Sequence, residues 1–143
     1  MKKVVTGAVP PGTTFIVSVV CSFAPAATGS ASTTSTTGTV HADPFSPAPM
    51  VITFDAQGDP TTPGSNVLPV FGGSNCTVTE ESPFGGAQSV SYGCTSTSSN
   101  VVCETNQQTV QFLGDNTTGE NATVTVTNAF PPQPVVVSPQ FTG

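Results

Sequence analysis

The sequence predicts an all-β domain, an antiparallel β-sandwich with about seven or more strands. Valine and threonine alternate along several segments, as expected for strands that have one buried and one exposed face. Clusters of glycine and proline interrupt these segments at intervals of about 8–12 residues, which is typical of the turns in such folds. Helical periodicity does not extend beyond about two turns in any segment.

Length and composition limit the possible classes of protein. The 143 residues suit a single domain, which we assign to 1–130, followed by a proline-rich linker and an extended, strand-like tail at 131–143. Charged residues make up only 7% of the chain, and the net charge is −6. Such a surface repels nucleic-acid phosphates and offers anionic lipids no basic patch, and no apolar segment is long enough to span a membrane. We therefore expect no nucleic-acid partner and no membrane insertion.

The first two predicted strands cover 2–6 and 13–23, on either side of a turn at 7–12 that contains two prolines. The second strand alternates cleanly, and its inward face carries Phe15, Val17, Val19 and Cys21. The Met-Lys-Lys start and the Ala-Pro-Ala-Ala after this strand also resemble a secretory signal. Because turn residues interrupt the approach to the apolar stretch, the strand–turn–strand interpretation is favoured.

A long segment at 24–49 follows, which is rich in alanine, threonine and serine and almost without charge. We interpret it as a surface insertion that holds at most a weak hairpin near 39–42. Three further strands are predicted, at 50–55, 67–71 and 76–81. The proline within the second of them makes it an edge strand.

The remaining strands are predicted at 87–94, 101–104, 108–113 and 120–130. The first two are the expected arms of a hairpin. The part of it that a disulfide closes is assigned to residues 93–106. The last strand is long and ends at a group of prolines, which cannot continue a central strand.

Four cysteines, an even number, occur in the chain: Cys21, Cys76, Cys94 and Cys103. They form no C-x-x-C pair, and the chain has one histidine, so a zinc site is not expected. Two disulfides in an oxidising compartment fit better, with reduced thiols in the cytosol as the alternative. Of the three possible connectivities, we favour Cys94 with Cys103 across a short turn, which leaves Cys21 for Cys76.

Both lysines, Lys2 and Lys3, lie in the first predicted strand, and the chain contains no arginine. Two cations placed in this way have little general electrostatic use, so we look for a specific partner for one of them. The candidate partners are the Glu80-Glu81 pair and Asn128. Strand alternation places Glu80 and Asn128 on inward faces. The residues that share these two faces are Cys76, Val78, Val124 and Val126.

The order of the motifs is also informative. Lys-Val-Val-Thr-Gly opens the chain, a strand ending in cysteine follows, and Gly-Ser-Asn-Cys-Thr-Val-Thr-Glu and Val-Thr-Val-Thr-Asn-Ala-Phe come later. This order resembles the B-type repeats of Gram-positive collagen adhesins and pilins, and more closely the cysteine-containing repeats of actinobacterial surface proteins. The resemblance covers 2–23 and 66–130, with 24–49 and 93–106 as insertions. It implies an immunoglobulin-like sandwich, also described as prealbumin-like.

Many members of that family form an intramolecular isopeptide bond, in which a first-strand lysine attacks a last-strand asparagine with the help of a glutamate. Carried over by motif, these residues are Lys3, Asn128 and Glu80, with Lys2 and Glu81 as the alternatives one position away. Burial makes the chemistry reasonable, because it lowers the pKa of a lysine, which is nucleophilic only when neutral. The alternative is a solvated lysine leader in a domain that disulfides already stabilise.

The resemblance implies a structural role. The domain would be a stalk or spacer repeat of a secreted or cell-surface bacterial adhesin or fibre, with neighbouring repeats or identical subunits as partners. We expect no turnover enzyme, since the chain has one histidine and no Gly-x-Ser-x-Gly motif, and we expect no cofactor and no metal. At most, the isopeptide bond is a single autocatalytic event.

Two alternatives concern other segments. In a pilus-like fibre, the C-terminal tail would complete a neighbour's sheet by strand addition. Its candidate donor residues are Val135, Val136, Val137 and Phe141. In an adhesin head, the 24–49 insertion would bind a host glycan or a matrix protein. The Phe-Thr-Gly end of the tail also echoes the Val-Thr-Gly of the first strand, as the opening of a second copy would.

Overall fold

The computed structural model describes residues 1–23, 49–70, 72–81, 84–113 and 121–134. Within these ranges the chain is nearly all β, as predicted, with eight strands and a short 3-10 turn at Phe84–Gly86. The strands are β1 (Lys2–Thr6), β2 (Phe15–Phe23), β3 (Met50–Phe54), β4 (Ser74–Glu80), β5 (Ser89–Ser96), β6 (Val101–Cys103), β7 (Thr109–Phe112) and β8 (Ala122–Ala129).

The strands form two sheets. The smaller sheet has three strands in the order β1-β8-β5, and the larger has five in the order β3-β2-β4-β7-β6. Inward-facing side chains of both sheets belong to one hydrophobic core, an arrangement consistent with a β-sandwich. The buried apolar residues of this core are Phe15, Val17, Val19, Ile52, Phe54, Cys76, Val78, Val101, Val110, Phe112, Val124, Val126 and Phe130.

The strand pairing departs from the prediction at one edge, because β1 lies parallel to β8. Lys2 is opposite Thr125, and Thr6 is opposite Ala129. The expectation of a purely antiparallel fold is therefore wrong for this pair. Parallel neighbours need a long crossover, which most of the domain supplies here because β1 and β8 lie near opposite ends of the sequence. As a result, β1 begins at the end of the sheet opposite to the one where β8 ends.

Residues 93–106 do not form the predicted hairpin. β5 pairs with β8 over its whole length, whereas β6 pairs with β7 in the other sheet. The physical reason is that β8 offers β5 eight partner residues, while β6 has only three. The segment between β5 and β6 therefore carries the chain from one sheet to the other.

The edge strand predicted at 67–71 is not found in its described part, since 67–70 has no strand. Pro69 has no N–H group with which to join a ladder, and the side chain of Val67 is 76% exposed. The segment therefore forms no strand, and none of its residues is fully buried. Each of the other predicted strands outside the insertion and tail overlaps one of β1 to β8.

Several predictions fall outside the described residues. They concern the insertion at 24–49 apart from residue 49, the weak hairpin near 39–42, and the tail at 135–143 with its four donor candidates. Those predictions stay predictions. In the part of the chain that the structure describes, no helix has the length and apolar character needed to cross a bilayer.

Candidate functional site

Three polar side chains point into the hydrophobic core. Lys3, Glu80 and Asn128 are only 5%, 3% and 0% exposed. Lys2 and Glu81, the alternatives one position away, are both exposed. Successive side chains of a strand point to opposite faces, so a shift of one residue moves a side chain from the core to the solvent. The structure thus brings together the three residues that the sequence motif singled out.

Each of the three side chains contacts the other two. Lys3 Nζ donates a hydrogen bond to Glu80 Oε2 at 3.0 Å, and another to Asn128 Oδ1. Asn128 Nδ2 donates to Glu80 Oε1 at 2.8 Å. The Glu80 carboxylate therefore joins the amine and the amide, with one oxygen on each. This closed arrangement satisfies polar groups that would be costly to bury alone.

The register of the strands explains how the groups meet. Lys3 lies opposite Val126 on β8, so Asn128 is two residues further along the neighbouring strand. Two residues of a strand span about 6.6 Å, which the four-carbon stem of a lysine can cover. Glu80 is the last residue of β4 and reaches the pair from the other sheet.

An aromatic ring forms the apolar wall of the site. Lys3 Nζ lies 4.5 Å from the centroid of the Phe15 ring, close enough for a cation–π contact. Phe15 is 1% exposed and meets Phe130 edge-on, with the ring centroids 6.1 Å apart. Phe15 therefore gives the amine an apolar neighbour, and Phe130 packs against that ring.

Sequence reasoning places Phe15 on the inward face of β2 but does not connect it with the lysine. The signal that identifies it is the cysteine pair. Once Cys21 lies opposite Cys76, antiparallel counting places Val17 opposite Glu80, as the structure has it. Phe15 is then the next inward residue beyond Glu80, and so borders the site.

Two further groups at the site were also missed. The hydroxyl of Tyr92 on β5 accepts a hydrogen bond from the backbone N–H of Glu80 at 3.0 Å. On β4, the backbone N–H of Val78 donates to the carbonyl of Gln108. The backbone N–H of Glu80 is on the same side of β4, but β7 does not extend far enough to accept a hydrogen bond from it. Tyr92 replaces the missing strand partner. The second group is the carbonyl of Phe84, which accepts from Asn128 Nδ2 at 3.1 Å.

The environment favours a reactive amine. Burial lowers the pKa of Lys3 from its ordinary value of 10.5, while the hydrogen bond and the charge of Glu80 oppose this shift. A neutral amine has the lone pair needed to attack an amide carbon, and a carboxyl group that touches both partners can move the protons. The arrangement is therefore competent for amide transfer from Asn128 to Lys3.

The four cysteines lie in the two predicted pairs. Cys21 and Cys76 are direct neighbours on β2 and β4, with their Cα atoms 4.0 Å apart. The Cα atoms of Cys94 and Cys103 are 5.7 Å apart, and this pair connects β5 of the smaller sheet to β6 of the larger. Cys76 and Cys103 both lie opposite Val110, so the two disulfides occupy one level of the sandwich.

Among the described residues, no three His, Cys, Asp or Glu side chains lie close enough to hold an ion. Comparisons of this chain with protein-family models, with curated proteins and with solved structures found no match. The features of the described residues that bear on function are therefore the cluster of Lys3, Glu80 and Asn128 and the two disulfides.

Proposed function

We propose that this domain is a structural spacer of a secreted or cell-surface bacterial protein, such as an adhesin stalk or a fibre. In this proposal Lys3 and Asn128 become joined by an isopeptide bond, and Glu80 transfers the protons. The observation that carries it is the buried triangle in which amine, carboxylate and amide all touch. The reaction occurs once in each molecule.

The proposed reaction balances without a cofactor. A proton passes from Lys3 Nζ to Glu80 Oε2, which leaves a neutral amine beside a carboxylic acid. Nζ then attacks Cγ of Asn128, and the Cγ–Nδ2 bond breaks as the new C–N bond forms. Glu80 supplies the proton that lets Nδ2 leave as ammonia, and it takes up the second proton of Nζ. The fixed placement of amine and amide supplies the effective concentration that free groups in solution lack.

The reaction also removes an electrostatic cost. An ammonium and a carboxylate that are both buried lose their hydration, and their mutual attraction repays this only in part. The product is a neutral amide beside a carboxyl group. Formation of the bond therefore relieves the core of a buried charge, which favours the product over the starting pair.

The strand directions suit a load-bearing module. Because β1 and β8 are parallel, the chain enters at one end of the smaller sheet and leaves at the other. Tension on the two ends then shears β1 against β8. A bond between Lys3 and Asn128, which are 125 positions apart in sequence, would carry that tension directly and leave the rest of the domain unloaded.

Further support comes from the motif order and the cysteines. The order resembles that of cysteine-containing surface-protein repeats, whose fold is immunoglobulin-like or prealbumin-like. Two disulfides are compatible with an oxidising, extracellular compartment. Strand donation by the tail and ligand binding by the insertion fall on residues outside the described ranges, so no contact favours either alternative.

Intact mass under reducing conditions tests the proposal. The wild-type protein is expected to weigh less than its sequence mass by one ammonia. Lys3→Met is expected to show the full mass, because it removes the nucleophile. Lys2→Met is the matched control, since Lys2 is the exposed neighbour on the same strand, and it should keep the loss. A reduced wild-type sample with unmodified mass excludes the bond.

A further inference from the structure

The amide of Asn128 has an acceptor for each of its two N–H groups. One bond goes to Glu80 Oε1 at 2.8 Å and the other to the backbone carbonyl of Phe84 at 3.1 Å. If the amide were flipped, its oxygen would face the Phe84 carbonyl, which has no hydrogen to donate whether or not Glu80 carries a proton. The two acceptors therefore fix the orientation in which Oδ1 faces Lys3 Nζ.

We infer that Phe84 and Gly85, within the turn Phe84–Gly86, position Asn128 for the cross-linking reaction by holding its leaving nitrogen. The inference rests on the proposed function. Of the groups described above that contact the Asn128 side chain, only the Phe84 carbonyl belongs to the backbone of a turn. It is therefore set by the conformation of the turn rather than by a side-chain rotamer.

The backbone of this turn is unusual. Phe84 has a φ of 55°, and only one other non-glycine residue of the described ranges, Gln107, has a positive φ. Gly85 and Gly86 follow with φ values of 62° and 84°. A non-glycine residue in this region persists only where its surroundings hold it there, and such positions cluster at functional sites.

Close packing holds the turn in place. A Cβ atom on Gly85 would lie 2.5 Å from Thr13 Cγ2 and 2.9 Å from Phe15 Cε1, so a side chain cannot be accommodated without movement. Phe15 is the ring that lies under Lys3 Nζ. The packing of Gly85 against Phe15 therefore positions both the ring beside the Lys3 amine and the carbonyl that accepts from the Asn128 amide. It links the placement of the two groups that react.

The turn also connects the site with the surface. Lys3, Glu80 and Asn128 are buried, whereas Phe84 and Gly85 are partly exposed and Gly86 is exposed. When the Cγ–Nδ2 bond breaks, the nitrogen has received its proton from Glu80 and still faces the Phe84 carbonyl. The leaving nitrogen therefore faces the partly exposed turn.

The first test compares two glycine substitutions. Gly85→Ala and Gly86→Ala both place alanine at positive φ, but a Cβ on Gly86 meets no atom within 4 Å. Loss of ammonia is followed by mass spectrometry after pulse labelling of newly made protein. Gly85→Ala is expected to slow the loss by about 10²-fold, because small misplacements of a reacting group have effects of this size. Gly86→Ala should react at nearly the wild-type rate, and equal rates for the two variants would overturn the inference.

The second test does not depend on cross-linking. In Lys3→Met, which cannot react, the side-chain N–H groups of Asn128 are expected to exchange slowly with solvent by NMR. Adding Gly85→Ala should remove this protection, and adding Gly86→Ala should not. Melting temperature and disulfide content show that each variant is folded.

The outcomes separate the two claims. Suppose that Gly85→Ala removes the protection of the Asn128 amide but the wild type never loses ammonia. This result supports the positioning of the amide and rejects the proposed cross-link. Rapid exchange of the Asn128 amide in Lys3→Met, in a protein whose wild type does lose ammonia, rejects the role of the turn and leaves the cross-link standing.

Discussion

Strand β4 carries two different chemistries on one inward face. Cys76 lies opposite Cys21, and four residues further along Glu80 meets Lys3 and Asn128. Four residues of a strand span about 13 Å, so the two sites occupy different levels of the same core. We call the level of the two disulfides the disulfide end, and the level of the buried polar triangle the amide end.

The two ends differ in what they require. A disulfide needs two cysteines at a suitable distance and an oxidising environment. The amide end needs an amine, a carboxyl group, an amide, an aromatic wall and a turn carbonyl, all in register. The disulfide end is therefore tolerant of its surroundings, whereas the amide end depends on contacts from both sheets.

The largest expected effect comes from pulling the domain by its ends. The wild type should show no extension between Lys3 and Asn128. Lys3 and Asn128 are 125 positions apart, and in the oxidised protein the two disulfides keep loops of 55 and 9 residues closed within this separation. Oxidised Lys3→Met should therefore extend by about 20 nm, and reduced Lys3→Met, in which both loops open, by about 40 nm. Single-molecule force spectroscopy measures these lengths. Lys2→Met is the control, and a wild type that extends like Lys3→Met contradicts the role of the amide end.

The second prediction compares the two disulfides in the Lys3→Met background, where no other cross-link is possible. Replacing Cys21 and Cys76 by alanine should lower the free energy of unfolding by about 4 kcal/mol, and replacing Cys94 and Cys103 by about 3 kcal/mol, since the first closes a longer loop. Urea denaturation measures both. The reverse order would mean that the link between the sheets matters more than loop length.

The sequence already contains much of the amide end. Alternation assigns Glu80 and Asn128 to inward faces, because side-chain direction in a strand depends only on parity, whereas Lys3 rather than Lys2 is chosen only by the motif that the chain resembles. The parallel pairing of β1 with β8 is a different matter. It joins residues from opposite ends of the chain, and no local pattern specifies which distant strand completes an edge.

The other missed features share this non-local character. The Phe15 wall follows only after the register between β2 and β4 is known, and Tyr92 reaches Glu80 from the opposite sheet. The transfer of the chain between sheets after β5 likewise depends on competition between β6 and β8 as partners. Parity within a strand is thus predictable from sequence, whereas contacts between strands and sheets require the fold.

The smallest expected effect concerns pH and separates a free amine from an amide. In Glu80→Gln, which we expect to remain uncross-linked, burial keeps the pKa of Lys3 below 10.5, with no carboxylate to oppose the shift. Between the folded pKa and 10.5, the unfolded chain binds more protons than the folded one. The free energy of unfolding therefore rises with pH in this window. The added stability is lost as the pH falls through the folded pKa, below which the folded and the unfolded chain both carry the proton and the slope vanishes.

One proton is involved, so the slope stays below about 1.4 kcal/mol per pH unit. Denaturation at a series of pH values should show this rise in Glu80→Gln and lack it in Glu80→Gln with Lys3→Met, which shares every other titrating group. Wild type should also lack this rise, because the nitrogen of an amide does not titrate in either the folded or the unfolded chain. A wild type that follows Glu80→Gln instead would show that Lys3 keeps its free amine, and that the amide end is a buried ion pair rather than a covalent bond.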